Sequence, residues 1–278
     1  MFGFDLVIML VILGLLMGFL SGLLGIGGGT IIVPGLAIVF HHYNIQTEEY
    51  YMQFAAGSAL TIMIFSSLAS VLKNHAMNMI HRPAITPIVN WIILSVILGA
   101  IVASRLTSGI LTIIFTLVLI YILIDLVIRM FKSAPEIPDN SIADLPKNKL
   151  RFGGFIMGFL SGLLGLGGGI IAVPLLTKIG LPIRKAAGTS SFFALIISLV
   201  GAILFGILGY FDTVDLKFST GYIYWPAVLL IIPFAMISAP FGVKLKSQLS
   251  EKTVLTIFII FLLVVIAKML SLILIKYL

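Results

Sequence analysis

The 278-residue sequence contains no cysteine and few charged residues. The absence of cysteine excludes disulfide bonds, thiolate nucleophiles and cysteine-ligated metal ions. Charged residues make up only 10% of the chain and hydrophobic residues 60%, whereas a soluble domain carries about 25% charged residues. The composition therefore excludes an ordinary soluble domain and predicts an integral membrane protein.

The apolar runs lack the alternation of period two that a membrane-spanning β-strand shows, which excludes a transmembrane barrel. They reach the length of about 20 residues that a spanning helix needs. Because lipid offers no hydrogen-bond partners, each segment must satisfy its own backbone groups. We therefore predict an all-α polytopic membrane protein. Outside two glycine-rich segments, full spans are expected near residues 53–72, 84–104, 110–131, 186–208, 222–242 and 253–275.

Sequence signatures of catalysis are also missing. The chain has no Gly-x-Ser-x-Gly, no His-Glu-x-x-His and no pair of carboxylates inside a span, so a membrane-embedded enzyme is strongly disfavoured. The net charge of +7 comes from basic residues in the loops, where such residues set membrane topology rather than bind nucleic acid. We predict no cofactor and no metal.

What the sequence does contain is one segment written twice. Residues 18–29 read GFLSGLLGIGGG and residues 158–169 read GFLSGLLGLGGG, and a Val-Pro pair follows each copy. Glycine runs and proline break helices, yet these lie inside strongly apolar stretches. A doubled helix break in a hydrophobic chain is the best sequence indication of a transporter's substrate site.

The most polar stretch separates the two copies. It holds three prolines and mixed charges between Lys132 and Arg151, which is typical of a linker. We therefore expect an N-terminal transmembrane repeat over residues 1–131, a linker over residues 132–151 and a C-terminal transmembrane repeat over residues 152–278.

The number of crossings in each half decides how the halves are oriented. If each glycine-rich segment enters and leaves the membrane as a hairpin, each half crosses three times and the halves are inverted. Thirteen Lys and Arg residues then lie on one side and three on the other, whereas complete crossing of both segments gives nine against seven. Because positive residues favour the cytoplasm, we expect hairpins, both termini outside and a cytoplasmic linker. Full spanning by the first segment stays open, since residues 4–24 are long enough to cross alone.

The helix breaks can bind an anion. A helix that restarts after the glycines has first-turn N–H groups without internal acceptors, and its dipole is positive at that end. In an inverted pair the two helix starts meet near the bilayer midplane and can hold a small oxyanion without Lys or Arg. The expected substrate-binding residues are Gly25, Gly27, Gly28, Gly29 and Thr30 in the first copy, and Gly165, Gly167, Gly168 and Gly169 in the second.

Hydroxyl groups follow each copy at the start of the next span. Ser58, Thr189 and Ser190 are candidates for substrate contact, and capping or bonding between helices is an equal alternative. The hydroxyls of Ser21 and Ser161, one turn before the glycines, have the same two readings. Glycines spaced by four, such as 14, 18 and 22 or 154, 158 and 162, are expected to pack helices closely.

Ionisable groups inside the spans are few. Asp125 lies four residues before Arg129 in one helix, which favours a local ion pair. A proton-coupling role for Asp125 is the alternative.

The two Gly-x-Gly-Gly-Gly segments with their Val-Pro pairs, and the Ala-Gly-Ser/Thr step after each, resemble the sulfite exporter TauE/SafE family over the whole chain. The resemblance implies a multi-pass permease of the prokaryotic plasma membrane for sulfite, related small sulfur anions or organosulfonates. We expect a secondary transporter working by alternating access, with an anion channel on the same scaffold as the alternative. Possible coupling to protons, the exact anion and the oligomeric state are left open by the sequence.

Overall fold

The computed structural model describes residues 4–24, 28–43, 49–131, 147–178, 180–212, 216–246 and 248–277. Within these ranges the chain forms ten α-helices and one two-stranded β ladder. The helices are α1 (Phe4–Leu24), α2 (Gly29–His42), α3 (Tyr51–Ala76), α4 (Arg82–Arg105), α5 (Ser108–Phe131), α6 (Lys147–Leu164), α7 (Gly169–Lys178), α8 (Ile183–Phe211), α9 (Trp225–Lys246) and α10 (Glu251–Tyr277). The strands are β1 (Ser219–Thr220) and β2 (Ile223–Tyr224), paired antiparallel.

Seven of the described helices, namely α1, α3, α4, α5, α8, α9 and α10, are long and apolar enough to cross a membrane. Six of them correspond to the six predicted spans, and α1 is the seventh. Helices α2 and α7 have 14 and 10 residues, which at 1.5 Å per residue extend about 21 Å and 15 Å, less than a bilayer core of about 30 Å. The predicted all-α polytopic architecture is confirmed, and the chain is a multi-pass membrane protein.

Two boundaries differ from the sequence-based expectation. Helix α6 begins at Lys147, inside the stretch expected to be linker, while residues 132–146 lie outside the described residues. Helix α9 begins at Trp225 rather than near residue 222, because the preceding residues form the β ladder. The turn of that ladder passes through Gly221, whose φ of 55° is left-handed and suits glycine.

Each glycine-rich segment forms an antiparallel helix pair. In the first pair, Gly28 at the start of α2 faces Met17 of α1, and Gly35 further along α2 faces Leu13. Because the residue number rises on one helix as it falls on the other, α2 returns alongside α1. The second pair has the same arrangement, with Gly168 facing Met157 and Gly153 facing Leu175. Both segments therefore reverse direction at the glycines.

The first helix of each half packs on the other half. Helix α1 lies against α9 and α6 lies against α4, and these are the two most extensive helix contacts. The glycines spaced by four make the approach close, because a β carbon there would meet the backbone of the neighbouring helix. The contacts are Gly14 with Ile231, Gly18 with Ala235, Gly22 with Ala239, Gly158 with Ile92 and Gly162 with Val96. Residue numbers rise together in both pairs, so α1 and α9 run parallel, as do α6 and α4.

Helices α3 and α8 cross at the centre of the molecule. The hydroxyl oxygens of Ser67 and Ser198 lie 3.4 Å apart, and the side-chain amide of Asn74 donates to the hydroxyl of Ser191 at 3.2 Å. The numbering of these pairs shows that α3 and α8 run antiparallel. Each is the third helix of its half, so this one pair of equivalent helices runs in opposite directions.

Candidate functional site

Both glycine-rich segments break the helix, and the second break is described completely. Helix α6 ends at Leu164 and α7 begins at Gly169. Between them Gly165, Gly167 and Gly168 have φ values of 75°, 69° and 72°. A left-handed backbone is costly for residues with a β carbon, so this turn requires its glycines. In the first segment α1 ends at Leu24 and α2 begins at Gly29; Gly25 and Gly27 lie outside the described residues.

The structure brings the two segments into contact. A β carbon at Gly29 would collide with the carbonyl of Leu166, and it would lie 3.0 Å from the carbonyl oxygen of Gly165. The first residue of α2 therefore rests on the turn that precedes α7. Since α2 and α7 have their positive dipole ends at these starts, the two helix N-termini converge on one region.

This contact lies at the middle of the two central helices. Gly167 packs against Met63, halfway along α3, and Gly168 packs against Ile197, halfway along α8. The Ser67–Ser198 contact is close by, because Ser67 lies one turn after Met63 and Ser198 directly follows Ile197. The second glycine turn, residues 165–168, is thus buried between these two helices.

In the first turns of α2 and α7, some backbone N–H groups find an acceptor in the preceding turn. The carbonyl oxygen of Gly28 accepts from the N–H groups of Ile31 and Ile32 at 3.0 and 2.8 Å. In the second copy the carbonyl oxygen of Gly168 accepts from the N–H groups of Ile171 and Ala172 at 3.1 and 2.8 Å. These hydrogen bonds point the same way as those inside the helices, so the positive ends of the two helix dipoles are not neutralised by them.

The N–H of Gly169 turns back to the carbonyl oxygen of Gly167 at 2.9 Å. In the described part of the chain, no acceptor is seen for the N–H groups of Gly168 and Ile170. Both N–H groups lie at the positive end of the α7 dipole, where an anion is favoured.

Two buried hydroxyl groups have no partner within the described ranges. Thr30 is in the first turn of α2 and is 2% exposed, and Ser161 is in the last turn of α6 and is fully buried. The Ser161 oxygen lies 3.6 Å from the position that a β carbon on Gly168 would take. A buried hydroxyl without a partner costs free energy, so both hydroxyls are candidate donors to a solute at this site.

Ser58 and Thr189 are occupied elsewhere. The hydroxyl of Ser58 accepts from the backbone N–H of Tyr224 at 2.9 Å, and that of Thr189 accepts from the backbone N–H of His81 at 2.9 Å. Tyr224 and His81 immediately precede α9 and α4. Both hydroxyls therefore bond between helices of different halves, which was the alternative to substrate contact.

Ser190 makes its hydrogen bond within its own helix, where its hydroxyl donates to the carbonyl oxygen of Ala187 at 2.8 Å. Of the hydroxyls that the sequence analysis named, Thr30 and Ser161 are the two that are buried with no partner within the described residues. The proposed Asp125–Arg129 pair cannot be described, since the Arg129 side chain lies outside the described residues.

An aromatic cluster lies between the end of α8 and the start of α9. Tyr222 is fully buried. Its ring packs edge-to-face against Phe54 and Phe205 and at a tilt against Tyr50, with ring centroids 5.6 to 6.2 Å apart. Its hydroxyl donates to the carboxylate of Asp212 at 2.6 Å. Burial, and then this hydrogen bond, raise the pKa of Tyr222 far above its ordinary range, so the phenol stays protonated.

Comparison with known proteins agrees over almost the whole chain. The family model described as Sulfite exporter TauE/SafE matches residues 10–269. A protein of Haemophilus influenzae described as a probable membrane transporter is 30% identical over 266 residues, covering 96% of this chain and 98% of its own length. Proteins with the same description from Methanocaldococcus jannaschii and Bacillus subtilis are 28% and 24% identical, and the matches cover 88% and 90% of this chain and 88% and 92% of theirs. No solved structure matches the chain.

Proposed function

The chain belongs to the sulfite exporter TauE/SafE family, and from this premise we propose that it is a plasma-membrane permease for sulfite or a related small sulfur-containing anion. That it is a membrane transporter agrees with its family and with the description of its relatives. The proposal concerns the solute, its site and the way it moves.

The proposed site is the contact between the two glycine turns. The observation that carries the proposal is that two helix N-termini converge halfway along α3 and α8. Beside them lie two buried hydroxyls, Thr30 and Ser161, for which the described residues supply no partner. Hydrogen bonds from N–H and O–H groups to an anion are stronger than those to a neutral acceptor. The positive ends of two helix dipoles add to this attraction, as at other anion sites on helix starts.

The proposed movement is alternating access between two inverted halves. Equivalent helices α3 and α8 run antiparallel, which supports an inverted repeat if both cross the membrane. The helix directions also put one group of basic residues at a single end of the molecule: Lys73, Arg82, Lys178, Lys185 and Lys244. Since positive residues favour the cytoplasm, this end is proposed to face inward, with the linker beside it and both termini outside.

The test is transport by purified protein in liposomes. Uptake of sulfite, thiosulfate, sulfate and sulfoacetate is measured with and without a proton gradient, and counterflow distinguishes a transporter from a channel. A hydrogen bond to a charged group contributes about 1.5 to 3 kcal/mol, so Thr30→Val and Ser161→Ala are each expected to lower the apparent affinity by roughly 10-fold or more. Gly168→Leu, which also places a side chain against Ile197, is expected to abolish transport.

The matched control is Thr116→Val. This threonine is as buried as Thr30, but its hydroxyl donates to the carbonyl oxygen of Thr112 in α5 at 2.7 Å, so transport is expected to stay within twofold of wild type. Because Gly168→Leu risks misfolding, the test of the proposed site depends on Thr30→Val and Ser161→Ala. Wild-type affinity in both would refute the glycine site, and absence of any sulfur-anion uptake by the wild type would refute the permease.

A further inference from the structure

Helix α3 is buried over one part of its length and not over the other. Every residue from 51 to 63 is buried, whereas none of residues 68–76 is buried by the described part of the chain. The buried part begins beside the β ladder, which we call the ladder end of the molecule. The other part ends at the α3–α4 turn, which we call the turn end. From the glycine turns, the space along α3 is therefore closed toward the ladder end.

Tyr222 at the ladder end has a structural counterpart at the turn end, which is Met79. A β carbon on Gly57 of α3 would lie 2.5 Å from the carbonyl oxygen of Tyr222, and one on Gly188 of α8 would lie 2.5 Å from that of Met79. In both loops the residue two positions further on donates its N–H to the hydroxyl that follows the glycine. The two loops therefore dock in the same way on α3 and on α8, and they differ in the side chain at this position.

The surroundings of the two side chains are different. Tyr222 packs against Phe54 and Phe205, which are 1% and 0% exposed. Counted along α3 and α8 from the same two glycines, the counterpart of Phe54 is Lys185 and that of Phe205 is Asn74. Both counterparts are polar and half-buried. The ladder end is thus closed by an aromatic layer at the level where the turn end carries polar groups.

The ring of Tyr222 belongs to one half of the molecule and rests on the other. Its backbone N–H donates to the carbonyl oxygen of Phe205 at 3.1 Å, and its hydroxyl donates to the carboxylate of Asp212, both in the second half. The ring itself lies against Tyr50 and Phe54 of the first half. A movement between the halves can therefore separate the ring from α3 and leave its bonds to α8 intact.

The layer formed by Tyr222 lies across the route from the glycine turns to the ladder end. Gly167 packs on Met63, and Leu60 lies one helical turn closer to the ladder. The side chain of Leu60 is 2.8 Å from the position of a β carbon on Gly201 of α8, so it fills the space between the two central helices. A solute that moves along these helices toward the ladder end meets Leu60 first and then the ring of Tyr222.

We propose that Tyr222 is the gate that closes the solute path at the ladder end, and that Asp212 is the residue that positions its ring. The proposal rests on the proposed function and on its orientation, in which the ladder end faces outward. It adds to that function the side chain that leaves its place before a solute passes between the glycine turns and the outside.

Single cysteines report which end of the path is open, because the wild-type chain has no cysteine. The outer probe is Leu60→Cys. The inner probe is Ser70→Cys, which is exposed and lies on the same face of α3 as Ser67 and Asn74. The rate of modification by a membrane-impermeant methanethiosulfonate reagent is measured for both probes, in intact cells and in inside-out vesicles. Each gate variant is compared with the same probe in a chain whose gate is unchanged.

Tyr222→Ala removes the ring and is expected to raise the rate at the outer probe in intact cells roughly 10-fold or more. Tyr222→Phe and Asp212→Asn keep the ring and remove or weaken the hydrogen bond that holds it, so each is expected to raise this rate roughly fivefold. Because both act on one hydrogen bond, the double variant is expected to match the larger single effect and not the product. The rate at the inner probe is expected to stay level or fall, since opening at one end accompanies closure at the other.

Two matched controls separate the gate from general stability. Phe258→Ala removes an equally buried ring from α10, and Tyr51→Phe removes a buried hydroxyl that shares a hydrogen bond with Thr112 at 2.7 Å. Both are expected to leave the two probe rates within twofold. Unchanged outer rates in all three gate variants would overturn the proposal. An equal rise at both probes would also overturn it, because that result identifies a loosened fold.

The gate and the proposed function fail in different assays. Wild-type liposomes that carry no sulfur anion contradict the permease. Wild-type liposomes that carry sulfur anions, together with a Tyr222→Ala variant whose outer probe reacts at the unchanged rate, contradict the gate and leave the glycine site standing. Because each probe is measured from both sides, a reversed orientation would give a rise at Leu60→Cys in inside-out vesicles alone, which contradicts the outward position of the gate.

Discussion

Two equivalent glycines have different backbone conformations in the two halves. Gly168 precedes α7 with a φ of 72°, whereas Gly28 precedes α2 with φ −77° and ψ −10°, which is right-handed. At both positions the nearest atom to an added β carbon belongs to the end of a side chain, Ile197 in one case and Met17 in the other. The two positions therefore differ in backbone conformation and not in the space available for a side chain.

Alanine substitution at these two positions should separate the two effects. A left-handed conformation costs an L-residue about 1 to 2 kcal/mol, so Gly168→Ala is expected to lose that much more stability than Gly28→Ala. The measurement is thermal unfolding of the purified variants in one detergent. Gly206→Ala in α8 serves as control, because a β carbon there meets only Ile223 at 3.5 Å and helix propensity favours alanine. Equal losses for Gly28→Ala and Gly168→Ala would show that backbone strain is not decisive.

At the residue scale the sequence predicts the breaks but not their details. The duplicated segment suffices to place a helix end before each glycine run, because three adjacent glycines cannot continue a helix cheaply. The duplicated segment does not reveal the different φ values, since Gly28 and Gly168 occupy the same place in nearly identical sequences. It also leaves open which hydroxyls stay free, because Ser58 is taken by Tyr224, 166 residues away.

The helices are held together by bonds between the two halves. Ser58 on α3 accepts from the residue before α9, and Thr189 on α8 accepts from the residue before α4. Gly57 and Gly188, the residues just before them, let the same loops approach, because a β carbon there would crowd the carbonyls of Tyr222 and Met79. Each central helix thus fixes the start of a helix in the opposite half.

Removing either hydroxyl should destabilise the protein by a similar amount. Ser58→Ala and Thr189→Val each leave a backbone N–H without its acceptor, which costs about 1 to 3 kcal/mol when the group is buried. Thermal unfolding measures the loss. Ser104→Ala is the control, since its hydroxyl donates only to Ile101 of its own helix at 2.9 Å, and it is expected to change stability by less. Wild-type stability with lost transport would instead assign these hydroxyls to the substrate.

At the element scale the apolar runs predict the helices and miss the ladder. Six spans follow from hydropathy, because a membrane helix needs little beyond length and apolar composition. The ladder at residues 219–224 is too short to produce a pattern of period two. Its form depends on tertiary contacts, such as the backbone bond from Tyr222 to the carbonyl oxygen of Phe205 at 3.1 Å.

At the scale of the whole molecule, the first helix of each half packs against a helix of the other half. Helix α1 packs on α9 and α6 packs on α4, so neither half is a self-contained bundle. The repeat in the sequence predicts two similar halves, and the distribution of Lys and Arg predicts their orientation, but neither contains information about which half a helix contacts. That is decided by complementary surfaces, here the glycine faces of α1 and α6 against the helices they meet.

Cysteine labelling provides a test of the inverted orientation in cells. The wild-type chain has no cysteine, so each single-cysteine variant has one target. Asn78 lies in the α3–α4 turn, and Lys217 lies in the equivalent connection of the other half, before α9. If the halves are inverted, a membrane-impermeant maleimide added to intact cells should label Lys217→Cys and leave Asn78→Cys unmodified, and inside-out vesicles should give the opposite result.

Two further positions act as matched controls for this labelling. Thr107, between α4 and α5, is exposed and should behave like Lys217, because one crossing separates it from Asn78; Asn148, at the start of α6, should behave like Asn78. Because positive residues favour the cytoplasm, the basic residues at the Asn78 end predict that this end is cytoplasmic, and therefore predict which of the two variants is labelled from outside. If Asn78→Cys and Lys217→Cys were labelled from the same side, the halves would be parallel, and the two helix starts would no longer approach a solute from opposite faces of the bilayer.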